Sequence, residues 1–597
     1  MSDRARKLQA WEIGELSLSR LLSAGRKART EELKPIRIAV LGEAATQHYC
    51  LALKAAMSLR GWLADIYEAE YDTIRQEAFN PESELYSHNP DVVILMPAVQ
   101  GLWHRYCGAT DKIDFAKTIA AEWSDLRAVL RQRSKATVVQ HNYVVPLDRT
   151  FGNATAAFAI TFASAVTAIN ADLSVAASKR ELLLVDTEFQ AAYHGKRHWL
   201  DERLWCQAKQ AFSPAFLPHL AKAVSDVVLT PHGIVVKCVV VDLDNTMWGG
   251  ILAEDGANLL EMGQTELGLA YLRFQLGLAQ LKQRGILLAI CSKNDFNNVL
   301  GVLDNHPDMV LRRDDFATIV ANFDDKATNL MTIREQLNIG YDSMVFLDDT
   351  PFERDLVRTA LPQIQVPELS DDPANFLADM ARWNLFEALP STDEDLARSD
   401  YYRANIAREE IRASFQGLDD FIADLRMTAD ILPLDAYTLP RAQQLVMRSN
   451  QFNLTTIRYN NDELAEIAND REVDSFCIRL ADRLGDNGIV AFVILRKEDD
   501  NAIVDTWIMS CRVLGRRVEE LTIQTIVEKA RNLGCRCIIG RYSPTPKNGM
   551  VAALFTNHGF EPAGQADEMT MFSMNVDAYR DVSVPISINM KNLKEAS

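Results

Sequence analysis

Short apolar runs recur along the chain, each followed by a stretch long enough for a helix. RIAVLG (37–42) is patterned as a buried strand, with helical spacing after it to about Arg60. WLADIYEA, DVVILMP (91–97), ATVVQHN (136–142) and ELLLVDT (181–187) continue the alternation. Strand–helix repetition of this kind predicts a parallel sheet covered by helices, here over residues 37–225. KCVVVDLD (237–244) opens a second series with ILLAICS (286–292), MVLR (309–312), MVFLDD (344–349) and IQVPEL (364–369). Between these runs, LGLAYLRFQLGLAQLKQR and KATNLMTIREQLN carry apolar residues at helical spacing, so 236–370 reads as a smaller Rossmann-like sheet. A polar leader occupies 1–36, and 371–430, rich in Asp, Ala and Arg, reads as a helical connector. From 431 to 585, strands at SFCIRLADR, IVAFVILR, AIVDTWIMSC and CRCIIGRYS, with helices near 439–448 and 518–533, predict a mixed α+β domain.

Charge and cysteine usage narrow the function classes. Against 63 Lys and Arg stand 82 Asp and Glu, a net charge of -19 on 597 residues. That excess argues against a nucleic-acid or anionic-membrane binder, since both need a basic footprint to displace counterions. Nine cysteines are scattered, with no Cys-x-x-Cys pair and no nearby His at metal-ligand spacing, so they read as reduced thiols. The opening MSDRARKLQAWEIGELS is too charged for a secretory signal, and no run approaches the roughly 18 to 20 apolar residues of a membrane span. The expectation is a soluble, cytoplasmic protein.

Candidate chemistry gathers at strand ends, where open α/β sheets build their sites. Asp242 and Asp244 close VVVDLD, Ser292 ends AICS, Lys326 begins a helix, and Asp348 and Asp349 end VFLDD. An Asp-x-Asp pair alone is common in turns. In this order the residues supply a carboxylate nucleophile, a second carboxylate for the leaving oxygen, a hydroxyl and an ammonium for phosphoryl oxygens, and acids for Mg2+. Ser292 lies 50 residues after Asp242, Lys326 34 after Ser292, and Asp348 22 after Lys326. These intervals leave no room for a large cap domain, so the site should be open to a large or tethered substrate, or closed by another domain or a partner.

The blocks VVVDLDNTMWGGILAEDG (239–256), CSKND (291–295), DDKATN (324–329), FLDDTPFERD (346–355), NQFNLT (450–455) and SCRVLGRRVE (510–519) resemble those of the FkbH-like members of the haloacid dehalogenase superfamily, phosphatase subfamily IIIC. The resemblance implies an α/β architecture: an SGNH-like three-layer N-terminal domain, a HAD core without a large cap, and a GNAT-like C-terminal domain. It implies Asp242 as nucleophile and Asp244 as general acid, then base. Thr246 and Ser292 would hydrogen-bond phosphoryl oxygens, and Lys326 would neutralise charge. Asp242, the Asp244 carbonyl and one or both of Asp348 and Asp349 would ligate Mg2+. FkbH-like proteins dephosphorylate a glyceryl unit from 1,3-bisphosphoglycerate and pass it, through an enzyme thioester, to the phosphopantetheine thiol of an acyl carrier protein in polyketide extender-unit synthesis.

Cys291, beside Ser292, is the first candidate for that thiol, although strand alternation turns it away from Ser292 and toward the core. Cys511 is the second, and Cys238 is further from the site. RVLGRRVE (512–519) has the shape of the pyrophosphate-holding turn of GNAT acyltransferases, with Arg517 in place of the last glycine. Arg512, Gly515, Arg516 and Arg517 are therefore expected at the phosphate of a phosphopantetheine arm, with Asn548 and Phe555 along the arm, Phe555 being equally a core residue. The SGNH-like nucleophile block LGEAAT (41–46) has no serine. Thr46, with His141 and Asn142, is a poor substitute, which makes the N-terminal domain a docking scaffold. Two other readings compete with the glyceryltransferase: a HAD phosphatase acting on a small or carrier-bound phosphate, and a catalytically idle interaction protein.

Overall fold

β-Branched and leucine-rich runs bounded by turn residues become strands buried on both faces. A computed structural model describes residues 12–28, 33–231, 236–387, 408, 411–412, 415, 417–449, 452–470, 472–510, 513–545, 548–566, 569–580 and 582–589. The chain divides into two units, Met1–Gly233 with Arg382–Pro390, and Ile234–Ala381 with Ser391–Ser597. In the first, β1 (Lys34–Gly42), β2 (Trp62–Glu68), β3 (Val92–Met96), β4 (Thr137–His141) and β5 (Leu183–Val185) form a parallel sheet in the order β2-β1-β3-β4-β5. Alternation along β1 sends Ile36, Ile38 and Val40 into one core with Leu53 and Leu220, and Ala39 and Leu41 into another with Leu126 and Ile169. Helices therefore cover both faces, the three-layer arrangement that the resemblance implies.

The leader is not an appendage. Helix Leu18–Arg26 starts where Ser17 accepts a hydrogen bond from the Arg20 amide, and Ile13 and Leu21 lie in the core of this unit. At Gly25 a Cβ would come within 2.7 Å of Ala55, so glycine is what lets this helix lie so close to helix Gln47–Leu59.

The second unit holds two sheets. β6 (Cys238–Val241), β7 (Leu287–Ser292), β8 (Thr318–Ala321) and β9 (Met344–Leu347) are parallel in the order β8-β7-β6-β9. MVLR is not a strand: the amides of Val310 and Leu311 bond the Gln275 side chain instead of a neighbouring strand, and ATIVA a few residues later supplies β8. IQVPEL makes only a bridge at Gln365, because Pro367 has no amide to extend the ladder. The other sheet contains β10 (Met427–Pro433), β11 (Val473–Asp482), β12 (Gly485–Glu498), β13 (Asn501–Met509), β14 (Cys537–Tyr542), β15 (Glu561–Ala566), β16 (Met569–Asn575) and β17 (Ile586–Ile588), ordered β15-β16-β14-β13-β12-β11-β10-β17. Within the expected connector, helix Leu418–Leu425 buries Phe421, Ile422 and Leu425 in the core of this last sheet, and β10 follows directly. Among the described residues no helix is long and apolar enough to cross a membrane.

Because Leu21 is fully buried, Leu21→Ala is expected to lower the unfolding free energy of the first unit by about 2–5 kcal/mol, measured by denaturant titration. An effect under about 0.5 kcal/mol would show the leader to be dispensable.

Candidate active site

β6 is a central strand whose Val241 is paired with Ile290 of β7 and Leu347 of β9, so Asp242, the next residue, emerges between the ends of two neighbours. Its amide donates to the Leu347 carbonyl at 2.9 Å. β9 ends one residue before Asp348, and helix Lys326–Leu337 begins at Lys326, capped by Asp325 accepting from the Thr328 amide. These strand and helix ends bring one ammonium between two carboxylates. Lys326 Nζ lies 2.7 Å from Asp242 Oδ1 and 2.8 Å from Asp348 Oδ2, and all three side chains are buried.

Ligand atoms of Asp242, Asp348 and Asp349 lie within 4.8 Å of one another. Like charges about 4 Å apart repel by about 4 kcal/mol at an effective dielectric near 20, and one ammonium cannot offset three carboxylates. Burial, then the Asp242 charge, pushes Asp348 and Asp349 above the usual carboxylate range. Burial alone would favour a neutral Lys326, but Asp242 and Asp348 outweigh it and raise the lysine above its ordinary value. An all-oxygen cluster with surplus negative charge fits a hard divalent cation such as Mg2+.

Asp244 is oriented by three donors: the Trp248 indole at 3.0 Å and the Leu252 amide at 3.1 Å on Oδ1, and Asn294 Nδ2 at 2.8 Å on Oδ2. Its side chain is not among the clustered carboxylates of Asp242, Asp348 and Asp349. The same Asn294 amide donates to Ser292 Oγ at 3.1 Å. Asn294 escaped sequence reading although it lies inside CSKND; its signal was two polar residues following a buried strand end. Arg354 was also missed, and it donates to the Asp348 and Asp349 carbonyls at 2.8 and 2.6 Å.

Several expectations need correction. Thr246 Oγ1 donates to Asp349 Oδ1 at 3.1 Å and accepts from the Asp349 amide at 3.2 Å, so it positions a carboxylate rather than offering its hydroxyl to a phosphoryl group. Cys291 is fully buried, its thiol against the Lys326 carbonyl, and burial pushes that thiol up to about 12 with only partial relief from Lys326. It is a core residue, as strand alternation required, and not an accessible acyl carrier.

The expected phosphopantetheine residues have internal partners. The Gly515 amide donates to Glu519 Oε1 at 3.3 Å, Arg516 is buried with a guanidinium nitrogen 3.8 Å from Asp482, and Arg517 pairs with Glu520 at 2.6 Å. Asn548 is fully buried and donates to the carbonyls of Asn453 and Ser543, and Phe555 is core. β13 and β14 pair only over 501–504 and 537–540, and Phe452–Leu454 enters where they part. Met509 donates to the Phe452 carbonyl, Leu454 to Trp507, and Ser543 to Leu454. Arg512 and the second-choice thiol Cys511 lie outside the described residues.

In the first unit, Thr46 bonds Glu68 at 2.6 Å, while His141, pushed down to about 3 by burial, meets Tyr49 and Thr187. The Asn142 side-chain amide donates to Asp186 Oδ1 at 2.8 Å, so each of the three polar side chains is engaged by a different partner.

At pH 8, iodoacetamide should modify the exposed Cys107 and Cys206 and leave Cys291 unmodified in the folded protein, read by peptide mass mapping. Labelling of Cys291 at the rate of Cys107 would contradict its burial.

Comparisons with known proteins bear on this geometry. Residues 37–229 match the family model described as FkbH, N-terminal domain. The crystal structure of the N-terminal part of the protein BF1531 from Bacteroides fragilis, containing a phosphatase domain complexed with Mg, is similar at 31% identity with a TM-score of 0.59, covering 63% of this chain and 99% of that one. The ribosomal-protein-S18-alanine N-acetyltransferase from Escherichia coli is matched at 13% identity and a TM-score of 0.20 over 28% of this chain and 99% of its own. No curated protein matches the chain. With the buried Asp242–Lys326–Asp348 cluster at the strand ends and both the family match and the long alignment to a phosphatase-containing relative, the chain belongs to the FkbH-like proteins of the haloacid dehalogenase superfamily.

Proposed function

We propose that the protein is a Mg2+-dependent phosphoryl hydrolase that dephosphorylates a small phosphorylated acyl donor and delivers the acyl unit to a carrier protein. The cluster of Asp242, Asp348 and Asp349 around Lys326 carries this reading. Mg2+ held by those carboxylates and the Asp244 carbonyl would supply charge neutralisation for the phosphoryl oxygens.

An Asp242 oxygen bonds phosphorus as the bond to the leaving oxygen breaks, and Asp244, aimed by Trp248 and Asn294, gives that oxygen a proton. Asp244 then takes a proton from the water that attacks the aspartyl phosphate, releasing inorganic phosphate and restoring Asp242. Ser292 donates its hydroxyl proton to a phosphoryl oxygen, and Lys326 stays charged beside the nucleophile.

Membership among FkbH-like proteins supports 1,3-bisphosphoglycerate as donor and an acyl carrier protein as acceptor. In that reaction the phosphoryl group on the C3 oxygen passes by way of Asp242 to water, leaving a C3 hydroxyl, and a thiolate sulfur bonds the C1 carbonyl and expels the C1 phosphate. Large exposed side chains near the site favour a macromolecular acceptor: Phe296, Phe323 and Phe352 all lie on segments that follow β7, β8 and β9, the latter two 75% and 70% exposed. Burial of Cys291 moves the acyl step to Cys511 or directly to the carrier thiol. The absence of disulfides among the described cysteines fits a reducing cytoplasm.

Incubation with 1,3-bisphosphoglycerate, Mg2+ and holo carrier protein, followed by phosphate assay and intact-protein mass measurement, tests both levels. A glyceryl adduct on the carrier is expected, and Asp242→Asn should slow loss of the C3 phosphate at least about a thousandfold, read by mass as an adduct that keeps its phosphate. Mg2+-dependent phosphate release without any adduct would leave the phosphatase reading alone, and the absence of both would favour an interaction protein.

A further inference from the structure

The loops and helix starts that follow β6 to β9 bring three cations to the site, Lys293, Lys326 and Arg354. Lys326 is engaged by Asp242 and Asp348, and Arg354, 5% exposed, bonds two carbonyls and Glu368. Lys293 alone of these three reaches solvent, with 39% of its side chain exposed. It stands between Ser292 and Asn294, the two residues that address the phosphoryl pocket and the general acid.

Its ammonium is 2.6 Å from Oε1 of Glu353, in the helix that follows β9. Because β6 lies between β7 and β9, this ion pair joins the two loops that flank the end of the strand carrying Asp242. Glu353 is buried, and its Oε2 is shielded with no hydrogen-bond partner. A desolvated carboxylate of this kind holds a neighbouring ammonium more firmly than a surface acid would. Exposed acids on the segments that follow β6 to β9 include Glu254, Asp255, Asp295, Asp324, Asp325 and Asp355. An ammonium fixed in such surroundings is where a second negative oxygen on the substrate finds attraction rather than repulsion.

We propose that Lys293 determines specificity by binding a second anionic oxygen of the substrate, a few bonds from the transferred phosphoryl group, and that Glu353 positions it. The inference rests on the phosphoryl-transfer reading of the site. To that reading it adds the residue that recognises the second anion of such a substrate.

The test is calorimetric titration of the Mg2+-loaded protein with the non-hydrolysable phosphonate analogues of 3-phosphoglycerate and of glycerol 3-phosphate, the second lacking the carboxylate. The carboxylate-bearing ligand should bind at least about tenfold more tightly, the effect of one charge-assisted hydrogen bond. Adding Lys293→Met should bring the ratio near one, Lys293→Arg should retain most of it, and Glu353→Gln should reduce it. Equal affinities in the parent protein, or a Lys293→Met variant that weakens both ligands by the same factor, would overturn the proposal. If neither ligand binds, the phosphoryl-site reading falls with it. Phosphate release in the turnover assay combined with equal affinities sinks the specificity role alone.

Discussion

The site depends on one ammonium held between two carboxylates beneath the surface. Removing a partner from a buried ion pair costs about 3–5 kcal/mol, so the geometry persists only while Asp242, Lys326 and Asp348 arrive together. Each arrives by local logic. Asp242 and Asp348 follow strands too apolar to extend further without meeting a polar stop, and Asp325 caps a helix so that lysine occupies its first turn. The Lys326 ammonium also lies 5.7 Å from the Phe346 ring centroid, so an aromatic face supports a cation that solvent cannot reach.

Around that pair the polar groups form one connected set rather than independent contributions. Asn294 joins Asp244 to Ser292, and Thr246 ties the loop after β6 to Asp349. Arg354 holds the Asp348 and Asp349 carbonyls from below. Substitution at any of these positions would therefore alter the orientation of a reacting group without touching it, as expected of supporting contacts around metal and phosphate sites.

Much of this is legible in the sequence. Strand runs ending in Asp, Ser or Asp-Asp located the site, because burial on both faces leaves an unmistakable apolar signature and the polar residue marks where the strand stops. Runs with side-chain partners were not legible. MVLR looks like a strand, yet Gln275 satisfies its amides, while the less apolar Thr318–Ala321 pairs along β7. Thr246 illustrates the same limit at the site, since residue type announces a hydroxyl but not the partner it meets. In the C-terminal sheet the basic turn was visible, but the acids Glu519, Glu520 and Asp482 that engage it come from the following helix and a distant strand.

The short segment Phe452–Leu454, set where β13 and β14 diverge, has a consequence for how that domain comes apart. Through backbone bonds to Trp507, Met509 and Ser543, and the Asn548 side chain, it stitches together stretches separated by nearly a hundred positions. Such a seam makes their opening cooperative: none of these stretches can fray alone, and the fork between the two strands is a keystone rather than a vacancy.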